Sequence, residues 1–169
     1  FERGVEQGVW PLRVEGGAPV SWAEAVAPWG DGWIVADSTG DVLHRYTIDW
    51  SYVDSVSAPA AGAPFEAPSF LVRQADDLWV IEQFLHRVRR LGPDLQERAV
   101  FGTEGRAPGE LRFPKALAVC PGQWVAISDL GNHRVQRFDL DGRYMDGFEP
   151  VPTAPDAPVQ LMSLALSPD

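Results

Sequence analysis

Residues 127–142, ISDLGNHRVQRFDLDG, place Asp129, Asn132, His133 and Arg134 within six positions and follow them with Asp139, Asp141 and Gly142. An imidazole close to a carboxylate serves two kinds of chemistry. Neutral His with Asp can bind a divalent metal, and His held by Asp can act as a general base. The DLDG at 139–142 has the start of a calcium loop but lacks the ligands that would have to follow. Asp-Gly between two strand-like runs is better explained as a hairpin turn. No Ser/His/Asp nucleophile elbow, Walker-type glycine loop or Cys/His zinc spacing occurs in the sequence.

The same polar types return at nearly fixed spacing. WIVAD ends at Asp37, LWVIE at Glu82 and VAISD at Asp129, at intervals of 45 and 47 residues. Eight residues after each acid stands an Arg (Arg45, Arg90, Arg137), followed by Tyr46, Leu91 or Phe138. Val56, Phe101 and Phe148 close the three units. A catalytic group is needed once, whereas these acid-plus-base sets recur. A carboxylate at a strand end can accept hydrogen bonds from the turn and from a base entering the next strand. Asp37, Glu82 and Asp129, with His86, Arg87, His133 and Arg134, are therefore read as a repeated structural clasp and no catalytic residue is assigned. His44 falls three positions late and is not equivalent to His86 and His133.

The elements that would carry this clasp are short strands. Seven Trp, sixteen Gly and fifteen Pro among 169 residues point to strands joined by tight turns, in a chain long enough for one domain with a real core. The third unit holds four strand candidates, at about 115–120, 124–128, 133–139 and 143–148, with Pro-Gly and Asp-Gly turns at 121–122 and 141–142. Four strands per 40–50 residues is the signature of a β-propeller blade. The expected architecture is all-β, with blades at about 22–56, 68–101 and 114–148. An outer strand of a preceding blade is expected at about 5–10 and an inner strand of a following blade at about 161–167.

Residues 101–148, with a Gly-rich lead, Phe113-Pro114, the apolar-Asp strand end, Asn132-His133-Arg134 and Phe138-Asp139, resemble an NHL repeat, the family named for an Asn-His-Leu motif. The second unit keeps His86 and Arg87 in register but has Glu82 for the Asp and Leu85 for the Asn; the first is the most degenerate. The resemblance implies a ring of about six blades, within the roughly four to eight of closed propellers. Three blades are thus an arc, read as a segment of a longer protein, with self-association of copies as the other way to close the ring and protect open strand edges. Phe1, where a Met would stand, is read as not the native start, and no signal-peptide pattern is visible.

The formal net charge of −10, from 24 acidic and 14 basic residues, disfavours nucleic acid and anionic lipid as partners. No run of about 18 apolar residues is present to span a membrane. Cys120 stands alone, so no intrachain disulfide is expected and the compartment stays open. The basic run HRVRRLGPDLQER at 86–98 is split by strand alternation, with Arg87 and Arg89 on one face and Arg90 on the other. Amidating lyases, which resemble NHL propellers, hold zinc through inner-strand His residues. The matching openings here are read as Ala23, Ser69, Lys115 and Met162, none of them His, and Lys115 would repel a cation. For a lactonase-like calcium site, Glu24 alone is not enough.

No metal or cofactor is therefore expected, and the reading is a non-catalytic protein-interaction or scaffold module. The alternatives are a metal-dependent lyase or hydrolase working in the central channel, and RNA binding. Where the other units have polar LGN and STG, the second has Gln83-Phe84-Leu85, on the face where inner strands begin. Phe84, Leu85 and Lys115 are the candidate contacts, to a partner or, for the loop, a neighbouring blade. Trp29, in the PWGDGW turn of the opposite face, is either a packing residue or an exposed anchor.

Overall fold

The computed structural model describes residues 20–151 and 162–165. Among these residues twelve strands form three four-stranded antiparallel sheets, each a meander in which every strand pairs with the next in sequence. The first contains β1 (Ala23–Trp29), β2 (Gly32–Asp37), β3 (Val42–Thr47) and β4 (Tyr52–Val56). The second contains β5 (Pro68–Gln74), β6 (Asp77–Glu82), β7 (Arg87–Leu91) and β8 (Glu97–Phe101). The third contains β9 (Pro114–Cys120), β10 (Trp124–Asp129), β11 (Arg134–Asp139) and β12 (Tyr144–Phe148). The fold is an all-β partial propeller of three blades.

Alternation gives each blade two apolar faces, and the core lies between blades. Ala27, Ile34, Ala36 and Leu43 of the first blade pack against Leu71, Leu78, Val80 and Leu91 of the second. The other face of the second blade, with Trp79, Ile81, Val88 and Phe101, packs against Leu117, Val125, Ile127 and Phe138 of the third. Such packing explains why strands β6 and β10 read as continuous apolar runs rather than as alternating ones: both faces are covered.

One turn position shows how the blades are fitted together. Between the third and outer strands, Trp50, Leu95 and Gly142 hold φ of 66°, 56° and 87° in the three blades. Leu95 is buried in the core between the first two blades. Gly142 leaves room for the ring of Phe101, because a Cβ there would lie 2.3 Å from Phe101 Cγ. Trp50 instead stacks flat on Trp33, with ring centroids 5.1 Å apart.

Each inner strand opens with a one-residue irregularity in its pairing, between Ala23 and Ala25, between Pro68 and Phe70, and at the Pro114 end of β9. A bulge leaves its residue out of the ladder and re-aims its side chain. The residues so placed are Glu24, Ser69 and Lys115. Matching Ala23 to Ser69 and Lys115 is thus corrected by one position: Ala23 pairs with Asp37 as Pro68 pairs with Glu82, and Glu24 is the true counterpart. The strand expected at 5–10 lies outside the described residues. Of that expected at 161–167, only residues 162–165 are described, and they lie in no strand.

Candidate functional site

The three acids stand at the ends of β2, β6 and β10 and are buried. Asp129 accepts hydrogen bonds from the Arg112 N–H (2.6 Å), Asn132 Nδ2 (2.9 Å), Arg134 Nε (2.7 Å) and Gln136 Nε2 (3.2 Å). Arg134 donates further to the carbonyls of Arg106, Ala107 and Glu110. Glu82 accepts from the Glu66 N–H at 2.8 Å, from Arg87 Nε at 2.6 Å and from Arg89. Asp37 accepts the N–H groups of Ser21 (2.7 Å), Trp22 (3.0 Å) and Gly40 (3.0 Å), with His44 Nε2 at 3.5 Å. Each carboxylate therefore ties the segment entering its blade to the turn or strand beyond it, and its lone pairs are used in doing so. Burial pushes the Asp37 carboxyl up, but the N–H donors of Ser21, Gly40 and Trp22 and the His44 ring outweigh it and hold the pKa below the usual value.

A position missed in the sequence completes each set. Seven residues after the acid come His44, Arg89 and Gln136, all buried and all directed to that acid. The constant spacing was available as a signal, but His, Arg and Gln share no chemical type. His86 and His133 have a different place. Each follows a short 3₁₀ turn (Gln83–Leu85, Leu130–Asn132) in the left-handed conformation, with φ of 54° and 56°, where Asp41 of the first blade has 56°. His and Asp tolerate that region better than most side chains. His86 reaches the next blade rather than Glu82: its Nδ1 accepts the Phe113 N–H at 2.9 Å, and Glu104 lies 3.9 Å from its Nε2. His133 is exposed.

On the face where inner strands begin, Phe84 is 62% exposed and meets Phe113 edge to face, with centroids 6.5 Å apart. Leu85 is half-buried beside it. Lys115, one bulge further on, extends to Glu24 of the first blade, with Nζ 3.7 Å from the carboxylate. Trp22, also 62% exposed, donates its indole N–H to the same carboxylate at 3.1 Å. Phe84, Phe113, Lys115, Glu24 and Trp22 thus form one strip from the second blade through the third to the first. Lys115 and Glu24 neutralise each other at its middle; the exposed area is mainly aromatic.

The arginines of 86–98 are paired with carboxylates of the second blade, and Arg90 also donates to the Leu140 carbonyl of the third at 3.2 Å. Arg87 and Arg89 hold Glu82, Arg89 also holds Glu97, and Arg90 and Arg98 hold Asp77. Among the described residues no group of three or more His, Cys, Asp or Glu is placed to hold a metal ion. No helix among them is long and apolar enough to cross a membrane. Trp29 packs partly against the core between the first two blades, with Arg73 6.0 Å from its ring.

No known family profile matches the chain. A 51-residue stretch is 45% identical to the RING finger protein nhl-1 of Caenorhabditis elegans, covering 30% of this chain and 5% of that protein. Among solved structures, the virginiamycin B lyase of Staphylococcus aureus superposes with a TM-score of 0.58 at 18% identity, over 78% of this chain and 43% of the lyase. The WD40 repeats of RRP9 superpose with a TM-score of 0.59 at 10% identity, over 76% and 38%. BBS1N, solved in complex with ARL6DN, gives 0.56 at 9% identity, over 75% and 40%. At these identities the likeness is one of fold, and the chain spans less than half of each structure.

Proposed function

We propose that the chain is part of an NHL-type propeller that docks a protein partner on the face where its inner strands begin. The short stretch shared with nhl-1 and the Asn132-His133-Arg134 turn support the NHL assignment. The observation that carries the functional reading is the exposed strip of Phe84, Phe113 and Trp22 around the Lys115–Glu24 pair. Large aromatic side chains held on short loops are the usual anchors of protein interfaces, and a propeller presents such loops without disturbing its sheets. Phe84, Leu85 and Lys115 are assigned as contacts, and Phe113 joins them because its ring meets that of Phe84 edge to face. In this reading the acids are fasteners and nothing in the strip does chemistry: their donors come from the backbone and from Arg, Asn, Gln and His side chains of the same blade. The arginines that RNA binding would need are engaged with carboxylates, which disfavours that alternative.

The test begins with chemical crosslinking of the protein in its source extract, identification of the bound protein and its purification. Titration against wild type and Phe84→Ala follows. An anchor worth about 2 kcal/mol weakens binding roughly 30-fold. The unfolding midpoint should not move, because Phe84 is largely exposed. Undiminished affinity in the Phe84→Ala protein would sink the assignment of this face.

A further inference from the structure

The opposite face, formed by the β1–β2 and β3–β4 turns, carries a cleft that the entry-face reading does not use. Its volume is about 580 Å³, and Trp29, Asp31, Trp33, Tyr46, Ile48 and Pro93 line it. A smaller hollow of about 170 Å³ shares Trp29, Gly30 and Pro93 with it and adds Arg73 and Asp76. The larger cleft thus joins aromatic side chains of the first blade to a turn residue of the second.

Its charge is one-sided. Arg45, also on its wall, is held by Asp54 through Nε at 2.6 Å and so is neutralised. Asp31 is exposed and makes no ion pair among the described residues, and Asp49, next to Ile48 on the rim, accepts from the Thr47 hydroxyl and likewise has no ion pair among them. Aromatic faces beside an uncompensated carboxylate select a cation, since the ring quadrupole and the carboxylate attract the same charge. A guanidinium suits such walls better than an ammonium, because it is planar, less strongly hydrated and stacks on rings. The chain itself uses this pairing: Arg73 stands 6.0 Å from the Trp29 centroid, Arg90 5.6 Å from Trp79 and Arg137 5.2 Å from Trp124. Arg73 approaches Trp29 from the smaller hollow, so the ring and the carboxylate left to the larger cleft are Trp33 and Asp31.

We infer that this cleft binds an arginine side chain of a basic segment on a partner protein, seated against Trp33 with Asp31 as its counter-ion. The net charge of −10 favours the approach of such a segment. The site lies on the face away from Phe84, so it stands or falls independently of the proposed entry-face contact.

The probe is a fluorescein-labelled octamer of arginine, followed by anisotropy on the full chain at about 0.15 M salt, where charges beyond about 8 Å are screened. The expected result is saturable binding that Trp33→Leu weakens about tenfold and Asp31→Asn several-fold, while Phe84→Ala leaves it unchanged. An octamer of citrulline, which has the same shape without the charge, should not compete. Asp31 is exposed in a turn, so its variant reports on binding even if Trp33→Leu is less well folded. Failure to bind, equal competition by citrulline, or unchanged affinity in both variants would overturn the proposal. The last result would mean diffuse attraction to an acidic surface. Displacement of the octamer by a neutral cello-oligosaccharide, indifferent to Asp31→Asn, would also overturn it by showing a sugar site.

Discussion

Replacing Glu82 by Ala removes the acceptor that three separate donors share, and its cost can be worked from their burial. Glu82 and Arg89 are 0% and 1% exposed, so the guanidinium left behind cannot turn to water. Arg87 is less constrained, since its side chain is 21% exposed. Glu97 still holds one end of Arg89 and is itself partly solvated, which limits the loss. Breaking a buried pair from one side costs about 3–5 kcal/mol, because the surviving charge has no partner. That is a large share of the roughly 5–15 kcal/mol that holds a domain together. For a chain of this size it corresponds to a fall of roughly 6–20 °C in melting temperature. Urea unfolding followed by tryptophan fluorescence measures the loss.

Two controls separate this cause from ordinary cavity formation. Adding Arg89→Met to a Glu82→Leu background removes both charges and should recover much of the stability, as buried pairs replaced by apolar side chains commonly do. Asp146→Asn, which breaks an equally short but exposed pair with Arg137, should leave the melting temperature unchanged. A loss below about 1 kcal/mol for Glu82→Ala, or no recovery in the double variant, would refute a charge-centred clasp.

The depressed Asp37 pKa has a sign that can be checked. Its stabilisation is complete above the unfolded carboxylate value of about 3.9 and is lost as pH falls through the lower folded value. Below about pH 4, Asp37→Asn should therefore lose melting temperature less steeply than wild type, and parallel slopes would contradict the linkage. At the β11–β12 turn, Gly142→Ala puts a Cβ against Phe101 at a φ of 87° and should cost about 2–4 kcal/mol in urea unfolding. Gly122→Ala, at φ 69° with no atom within 4 Å, should cost only about 1 kcal/mol, and equal costs would argue against a tight fit at Phe101.

The strands of this fold were legible because each is short, apolar and bounded by Gly, Pro or Asp turns, so that repeating the pattern gave the blades. Less legible was anything fixed by pairing register. Glu24 was passed over in favour of Ala23 because the bulge at the mouth of each inner strand adds a residue that a count along the sequence does not reveal. Phe113 was missed as a surface aromatic, since Phe before Pro114 reads as the start of a buried strand. Its φ of 48° turns it outward instead. The basic run at 86–98 was correctly divided between two faces by alternation, but its carboxylate partners at 77 and 82 lie on the neighbouring strand and become visible only with the sheet assembled. His86 and His133 drew attention by recurring in register. What recurs there is a left-handed turn position.

The three acids make one further point through their partners seven residues on. Asp37 has an imidazole, Glu82 a guanidinium and Asp129 a neutral amide. Each blade has therefore settled the same geometric problem with a different charge, and the compensating changes lie scattered through its sequence, as Glu97 does for Arg89. A repeat of this kind is not an interchangeable part. Arg89 moved alone into the third blade would face Asp129 without its Glu97, and Gln136 moved into the second would leave Glu82 short of charge. The heritable unit in this array is the whole cluster, and grafting or recombination between blades should succeed only where its members travel together.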